Sequence, residues 1–338
     1  MASGRKKMAG SPAVPWHDAA RRLGLEEIEP ERREAARRFP VRFTEYYLGL
    51  AEAGGPKNPI RRIALPEPEE VAPDPASLVD PVGERAKNPA PYVVRKHADR
   101  AILLVSSRCH VYCRFCFRRT FPDGGHADPD PATLDAAIDY LSGEADLREV
   151  ILSGGDPLTL SDHELRTIVG RLSALPQLVQ LRVHTRAPVH DPARVTPELA
   201  DALVGGLPLS MVLHFDHPRE ITFETRRVAG LLLGRGIPLL NQSVLLRGVN
   251  DDPATLEELC RGLWRERIKP YYLHHPDRVP GTGSFWLSTE HGLAIYRELS
   301  RRLGGGPALP AYVIDPPDGS GKVPVETFVR RGRHDHDS

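Results

Sequence analysis

No apolar run in the chain approaches 18 residues, and the opening stretch MASGRKKMAGSPAVPW has no apolar signal core. These absences argue against a membrane-spanning helix and a secretion leader, and they imply a cytoplasmic protein with no membrane partner. An excess of either charge is missing too. Lys+Arg and Asp+Glu both total 45, so no global field favours nucleic acid or an anionic membrane, and partners must be read from local sites. Cysteine is scarce, with four in 338 residues. Three of the four are clustered, which suits metal binding in a reducing compartment better than a disulfide framework. Cys260, alone in TLEELCRGLW, reads as a half-buried helix residue.

The cluster is Cys109, Cys113 and Cys116, in RAILLVSSRCHVYCRFCFRR from Arg100 to Arg119. The apolar, β-branched run Ala101 to Val105 reads as a buried strand, so the C-x3-C-x2-C loop sits just past a strand's C-terminal end. Four thiolates would close a zinc or iron–sulfur site, whereas three leave one coordination position for a small molecule. The competing readings are a zinc site completed by His110 or His126, and plain core cysteines.

The first 15 residues are small and basic with Pro and Gly, and disorder is expected at least to Ser11. Two or three short amphipathic helices are expected between Trp16 and about Ala53, forming a cap or an oligomer contact. Residues 54–92, rich in Pro with few large apolar groups, read as an extended arm lying over something else. From Arg100 onward, short apolar strands alternate with amphipathic helices. Strands are predicted near 101–106, 149–153, 179–184, 209–214, 238–246, 269–274 and 310–314. Helices are predicted near 131–142, 162–174, 196–205, 221–235, 253–267 and 288–303. This repeat implies an α/β fold, a partial or full TIM-like (β/α) barrel with a small helical N-terminal extension. The division expected is a disordered stretch 1–15, a cap and arm 16–92, a barrel 93–305 and a C-terminal segment 306–338.

In such a barrel, function gathers on the loops after the strands. Those loops carry the cysteines, Ser153-Gly154-Gly155-Asp156-Pro157, His184-Thr185-Arg186, then His214, Asp216 and His217, then Asn241 and Gln242, then His274, His275 and Asp277, and finally Asp315. A Gly-Gly turn after a strand exposes backbone N–H groups to an amino-acid or phosphate moiety, although alone it is more often an ordinary strand–helix turn. Lys322, behind Gly319-Ser320-Gly321, could reach a cofactor aldehyde, although such a loop alone is more often a solvated turn. It is not a Walker loop, because Val323 stands where Ser or Thr is required.

Taken together, CxxxCxxC, SGGDPL, NQSVLLRGVND from Asn241, YYLHHPD from Tyr271 and DPPDGSGKVPV at the end resemble the lysine 2,3-aminomutase family, collinearly from about Asn58 to Val325. These are radical S-adenosylmethionine (radical SAM) isomerases that also use pyridoxal 5′-phosphate (PLP), and they move an α-amino group to the β-carbon. The resemblance implies a [4Fe-4S] cluster on Cys109, Cys113 and Cys116. It implies S-adenosylmethionine held by Ser153, Gly154, Gly155 and Asp156, with Gln242 among the cofactor-binding residues. Lys322 is similar to the PLP-anchoring lysine, and Arg118 to the arginine that grips the substrate carboxylate. Arg100 matches a basic residue near the PLP phosphate. Lys96 and His97 stand where the family usually has Arg and Tyr.

Asp277 and Asp315 occupy the positions whose carboxylates bind the distal ammonium of lysine, so an acidic substrate side chain would be rejected. The implied reaction is L-lysine to β-lysine, with a reducing donor such as flavodoxin or ferredoxin and a homo-oligomeric state. Alternatives are a lysine isomerase serving elongation factor P and an aminomutase for another basic amino acid. Outside this class stands a non-catalytic or zinc-binding barrel using the cysteines structurally. Two features depart from the lysine-acting pattern: no cysteine follows Cys260, and the N-terminal region is compact.

Overall fold

A computed structural model describes residues 8–25, 28–119 and 128–332. His126, the alternative zinc ligand, lies outside the described residues. The N-terminal region folds around a two-residue ribbon, β1 (Ala13–Val14) against β2 (Phe43–Thr44), with helices α1 (Trp16–Arg22), α2 (Pro30–Arg38), α3 (Glu45–Glu52) and α4 (Pro59–Ala64). Thr44 caps α3 and Asn58 caps α4, each by accepting a backbone N–H, which satisfies groups that have no partner within the helix. Helix α4 lies inside the stretch expected to be extended. Disorder up to Ser11 is corrected in part. Ala9 N–H donates to Thr159 O at 2.9 Å and Ser11 N–H to Asp191 Oδ2 at 2.7 Å, so residues 9–11 are fastened to the barrel; residues 1–7 lie outside the described residues.

The sheet has nine strands: β3 (Val93–Val94), β4 (Arg100–Ser106), β5 (Glu149–Gly154), β6 (Gln180–Thr185), β7 (Leu209–Leu213), β8 (Leu239–Val244), β9 (Ile268–His274), β10 (Ala311–Ile314) and β11 (Val323–Pro324). They follow one another in sequence order across the sheet. From β4 to β10 every pair is parallel, while β3 and β11 add antiparallel edges. The helices between them are α5 (Pro131–Ser142), α6 (Asp162–Ser173), α7 (Ala187–His190), α8 (Pro197–Leu203), α9 (Phe223–Leu233), α10 (Pro253–Arg265) and α11 (Thr289–Leu303), with α12 (Val325–Arg330) closing the chain. This is an α/β partial TIM barrel: seven parallel strands flanked by β3 and β11, which stand at the two edges of the sheet among the described residues.

The local reasons are legible. Strand β5 reads EVILSG and is buried throughout, as a strand covered on both faces must be. Helix α6 starts at Ser161, whose hydroxyl and Glu164 form a reciprocal capping box. Pro253 follows the Asp252 cap of α10, where its missing N–H costs nothing. Cys260 lies on the inner face of α10 and is buried, more deeply than expected. One apolar core joins the inner faces of α5 to α10 to the strands and to the N-terminal helices, and a second gathers α11 and α12 on Leu273 and Tyr312. Every βα loop therefore ends at the same face.

Candidate active site

Backbone meets backbone first where β4 and β5 end. A Cβ on Gly154 (φ +123°) would stand 2.2 Å from Ser106 O, and one on Gly155 would stand 2.4 Å from Arg108 O. Only glycine fits this approach. It draws the SGGDP loop onto the segment leading into Cys109, so two predicted sites share one wall. Asp156, at the end of this loop, also faces the protein itself. Its carboxylate is buried and accepts from Leu158 N (2.9 Å), Thr185 Oγ1 (2.7 Å) and Arg186 N (2.8 Å). It ties the ends of β5 and β6 together, and these protein donors already engage it.

Cys109, Cys113 and Cys116 are half-buried, and Cys109 lies near enough to the other two sulfurs for them to raise it. Burial pushes all three thiols up, Cys113 to about 12. Ligation must therefore displace protons that burial holds on the sulfurs. Among the described residues, no three of His, Cys, Asp and Glu are grouped as a single metal ion needs. Three thiolates on one loop are a donor set that a four-iron cluster with one open iron can take. His110 is engaged elsewhere: its ring is buried, with Nε2 3.2 Å from Ala9 O and 3.9 Å from Asp191.

The barrel interior above the sheet is polar. Gln242 on β8 bonds to Nε2 of His214, beyond the end of β7, and lies 3.5 Å from Nδ1 of His184 on β6. Burial holds both imidazoles well below their ordinary range, and each is lowered further by charged neighbours. They are neutral acceptors and donors at physiological pH.

At the open edge of the site, Asp315 receives two ammonium groups: Lys96 Nζ at 2.8 Å from Oδ1 and Lys322 Nζ at 3.5 Å from Oδ2. Asp277 stands close by. Burial, then the neighbouring Asp315 carboxylate, pushes it up to about 7, against the pull of Lys322 and Lys96. The four residues predicted from distant stretches thus meet in one charge cluster, beside a cleft lined in part by Leu78, His275, Trp286 and Phe328. His97 packs its ring on Gly321, next to Lys322. Arg100, at the first residue of β4, pairs with Asp99 at 3.3 Å and is near enough to His97 to lower it. Lys96 faces Asp315 in this structure, a partner the sequence did not suggest.

Arg118 is the residue whose setting most exceeds expectation. Its Nε donates to Glu84 Oε2 at 3.0 Å, its Nη2 to the other oxygen, and its Nη1 to Ser153 Oγ at 3.3 Å. Glu84 comes from the extended arm and was missed; its only signal was an acid inside the Pro/Gly-rich stretch DPVGERAKNPAP. The arm lies over the barrel mouth, as Leu78 N–H to Arg278 O (2.8 Å) and Asp74 to Arg278 (2.9 Å) show.

The chain is 39% identical over 293 residues to the L-lysine 2,3-aminomutase of Clostridium subterminale, a match that covers 86% of this chain and 70% of that protein. The chain belongs to the lysine 2,3-aminomutase family. It is 37% identical over 321 residues to the putative L-lysine 2,3-aminomutase of Aquifex aeolicus, across 92% of this chain and 86% of that one. It is also 35% identical over 293 residues to the glutamate 2,3-aminomutase of Clostridioides difficile, across 87% and 69%. Residues 103–260 match the radical SAM superfamily. Lysine 2,3-aminomutase family members are isomerases that use a [4Fe-4S] cluster, S-adenosylmethionine and PLP, and they need a reductant. No described helix is long and apolar enough to cross a membrane.

Proposed function

We propose that the chain moves the α-amino group of L-lysine to C3, giving β-lysine, and that Asp277 and Asp315 select the substrate. Overall identity does not separate a lysine-acting relative from a glutamate-acting one, since both lie within a few per cent of each other. The observation that carries the choice is the carboxylate pair. Asp277 and Asp315 sit near Lys322 and line one cleft. A substrate carboxylate there would leave like charges unpaired, whereas a distal ammonium would pair with them.

In this reading, Cys109, Cys113 and Cys116 hold the cluster, the Ser153–Gly155 turn and Gln242 hold S-adenosylmethionine, and Lys322 anchors PLP with His97 and Arg100 toward its phosphate. When bound, these groups supply hydrogen-atom abstraction and a carbonyl that takes up the amino nitrogen. The chain's own residues align and shield. Arg118, oriented by Glu84 on one side and Ser153 on the other, offers the substrate carboxylate its remaining N–H groups. Asp315 leaves Lys96 and Lys322 to pair with the arriving ammonium. The arm keeps water from the mouth, where a stray hydrogen donor would quench the reaction.

The proposal includes a flavodoxin- or ferredoxin-type donor, a cytoplasmic location and a homo-oligomeric state. Its test is an anaerobic panel of amino acids with products identified by mass spectrometry. β-Lysine from lysine, no product from glutamate, and loss of turnover in D277N and D315N with S-adenosylmethionine cleavage retained are expected. Equal turnover of glutamate would overturn the assignment.

A further inference from the structure

Arg186 follows β6 and is nearly fully buried. Its Nη1 donates to Sγ of Cys113 at 3.3 Å and lies 2.8 Å from Asp216 Oδ2, while Nη2 donates to Glu220 Oε1 at 2.8 Å. The guanidinium also lies over the Phe115 ring, 5.4 Å from its centroid. Glu220 is fixed in turn by Tyr47, whose hydroxyl donates to it at 2.8 Å, and by the backbone N–H groups of Asp216 and His217. The backbone N–H of Arg186 is pinned by Asp156. A cation this firmly held, on two carboxylates from the next βα loop, cannot swing away when its sulfur neighbour changes partner.

Two carboxylates would neutralise the arginine without any sulfur contact, so the contact to Cys113 requires its own account. The Nε of Arg186 is buried without a hydrogen-bond partner, which shows that the fork is set by its Nη atoms at the expense of Nε. The near face of Cys113 also carries His190, whose Nε2 is 3.8 Å from Sγ.

We propose that Arg186 is a positioning residue that donates a charge-assisted N–H···S hydrogen bond to one cluster ligand, Cys113, and thereby raises the reduction potential of the cluster. This rests on the reading that Cys109, Cys113 and Cys116 hold the cluster. The electron taken from the external reductant adds one negative charge to the iron–sulfur core, and a cation donating to a ligand sulfur stabilises that form over the oxidised one. It also breaks the equivalence of the three ligands, because the charged donor is on the Cys113 side.

The test uses the full chain carrying ¹⁵N-guanidino arginine, loaded anaerobically with cluster, free of S-adenosylmethionine and PLP, and reduced with dithionite. Pulsed EPR of the reduced cluster should show a ¹⁵N coupling that persists in R42K and R118K. Its absence, or its loss in either of those variants, overturns the proposal, and neither outcome depends on whether an Arg186 variant folds. In R186K, with iron content matched to wild type, the reduced-to-oxidised ratio at fixed mediator poise should fall about tenfold, which is 59 mV for one electron. An unchanged ratio overturns it. If the chain takes up no four-iron cluster, the cysteine reading itself fails; a loaded cluster without the coupling removes only the role of Arg186.

Discussion

Burial and the Asp315 carboxylate raise Asp277 to about 7, and two opposite pH trends follow from that one side chain. The folded chain binds this proton more tightly than the unfolded chain does. Its contribution to stability is therefore present at acid pH and is lost as pH rises from the ordinary carboxylate range through about 7. An arriving ammonium needs the ionised carboxylate, so substrate affinity runs the other way and strengthens through the same range. The ionised fraction of such a group rises about tenfold between pH 6 and pH 8. The KM for lysine should fall by about that factor, while the distal ammonium stays charged throughout. In D277N, where turnover is lost, the dissociation constant for lysine, measured anaerobically by equilibrium binding at both pH values beside wild type, should lose this step. A wild-type profile no steeper than that of D277N would show that Asp277 does not meet the ammonium.

At the scale of elements, the cysteine loop is held from outside the barrel. Arg114, between Cys113 and Cys116, is fully buried, and its Nε and Nη2 donate to the two oxygens of Glu70 at 2.8 and 2.6 Å. Arg119 donates to Glu70 Oε2 at 2.6 Å and to Gly281 O at 2.9 Å, and Arg114 N–H bonds to Ile63 O at 2.8 Å. One acid within the arm thus holds Arg114 inside the loop and Arg119 just past it, and through Arg119 the turn at Gly281. Removing a partner from a buried pair costs about 3–5 kcal/mol. E70A should lower the denaturation free energy of the metal-free chain by about that amount and reduce cluster uptake, whereas R38A, on the exposed face of α2, should change it by less than about 1 kcal/mol. A loss in E70A no larger than that of R38A would remove the clamp.

These contacts also mark what the sequence could and could not reveal. The strands and helices from Arg100 onward were legible because β-branched runs alternate with capped amphipathic segments. That the cysteines, Asp277 and Asp315 follow strands was legible from the alternation of elements, and the structure brings Lys322 beside the two acids. Glu70, Glu84 and the Lys96–Asp315 pair were not, because a stretch without periodicity gives no clue to what it packs on. The hold of Asp156 on β6 was not legible either, because a turn acid looks the same whether it faces a ligand or two neighbouring strands.

For the whole molecule, the question is how residues more than 200 positions apart come to form one site. The segment that carries Lys322 has little secondary structure of its own: β10 ends at Ile314 and the two-residue β11 begins at Val323. Its seat is the arm. Gly83 (φ +64°) lies so close that a Cβ there would stand 2.5 Å from Pro317 O and 2.7 Å from Gly319 N, all backbone, with no side chain free to give way. Glu84, the next residue, holds Arg118, and Val82 accepts from Lys96. Residues 82–84 therefore touch the proposed carboxylate site, the ammonium site and the lysine loop together. In G83A the loop must retreat, carrying Lys322 from its position near Asp315, while the cysteine loop, clamped separately by Glu70, should be undisturbed. The expected outcome is at least a tenfold weaker PLP affinity, read from the Schiff-base absorbance, with wild-type iron content and S-adenosylmethionine cleavage. PLP affinity within twofold of wild type would mean that the arm does not seat the anchor, and equal loss of iron would mean that the two halves of the site are not held independently.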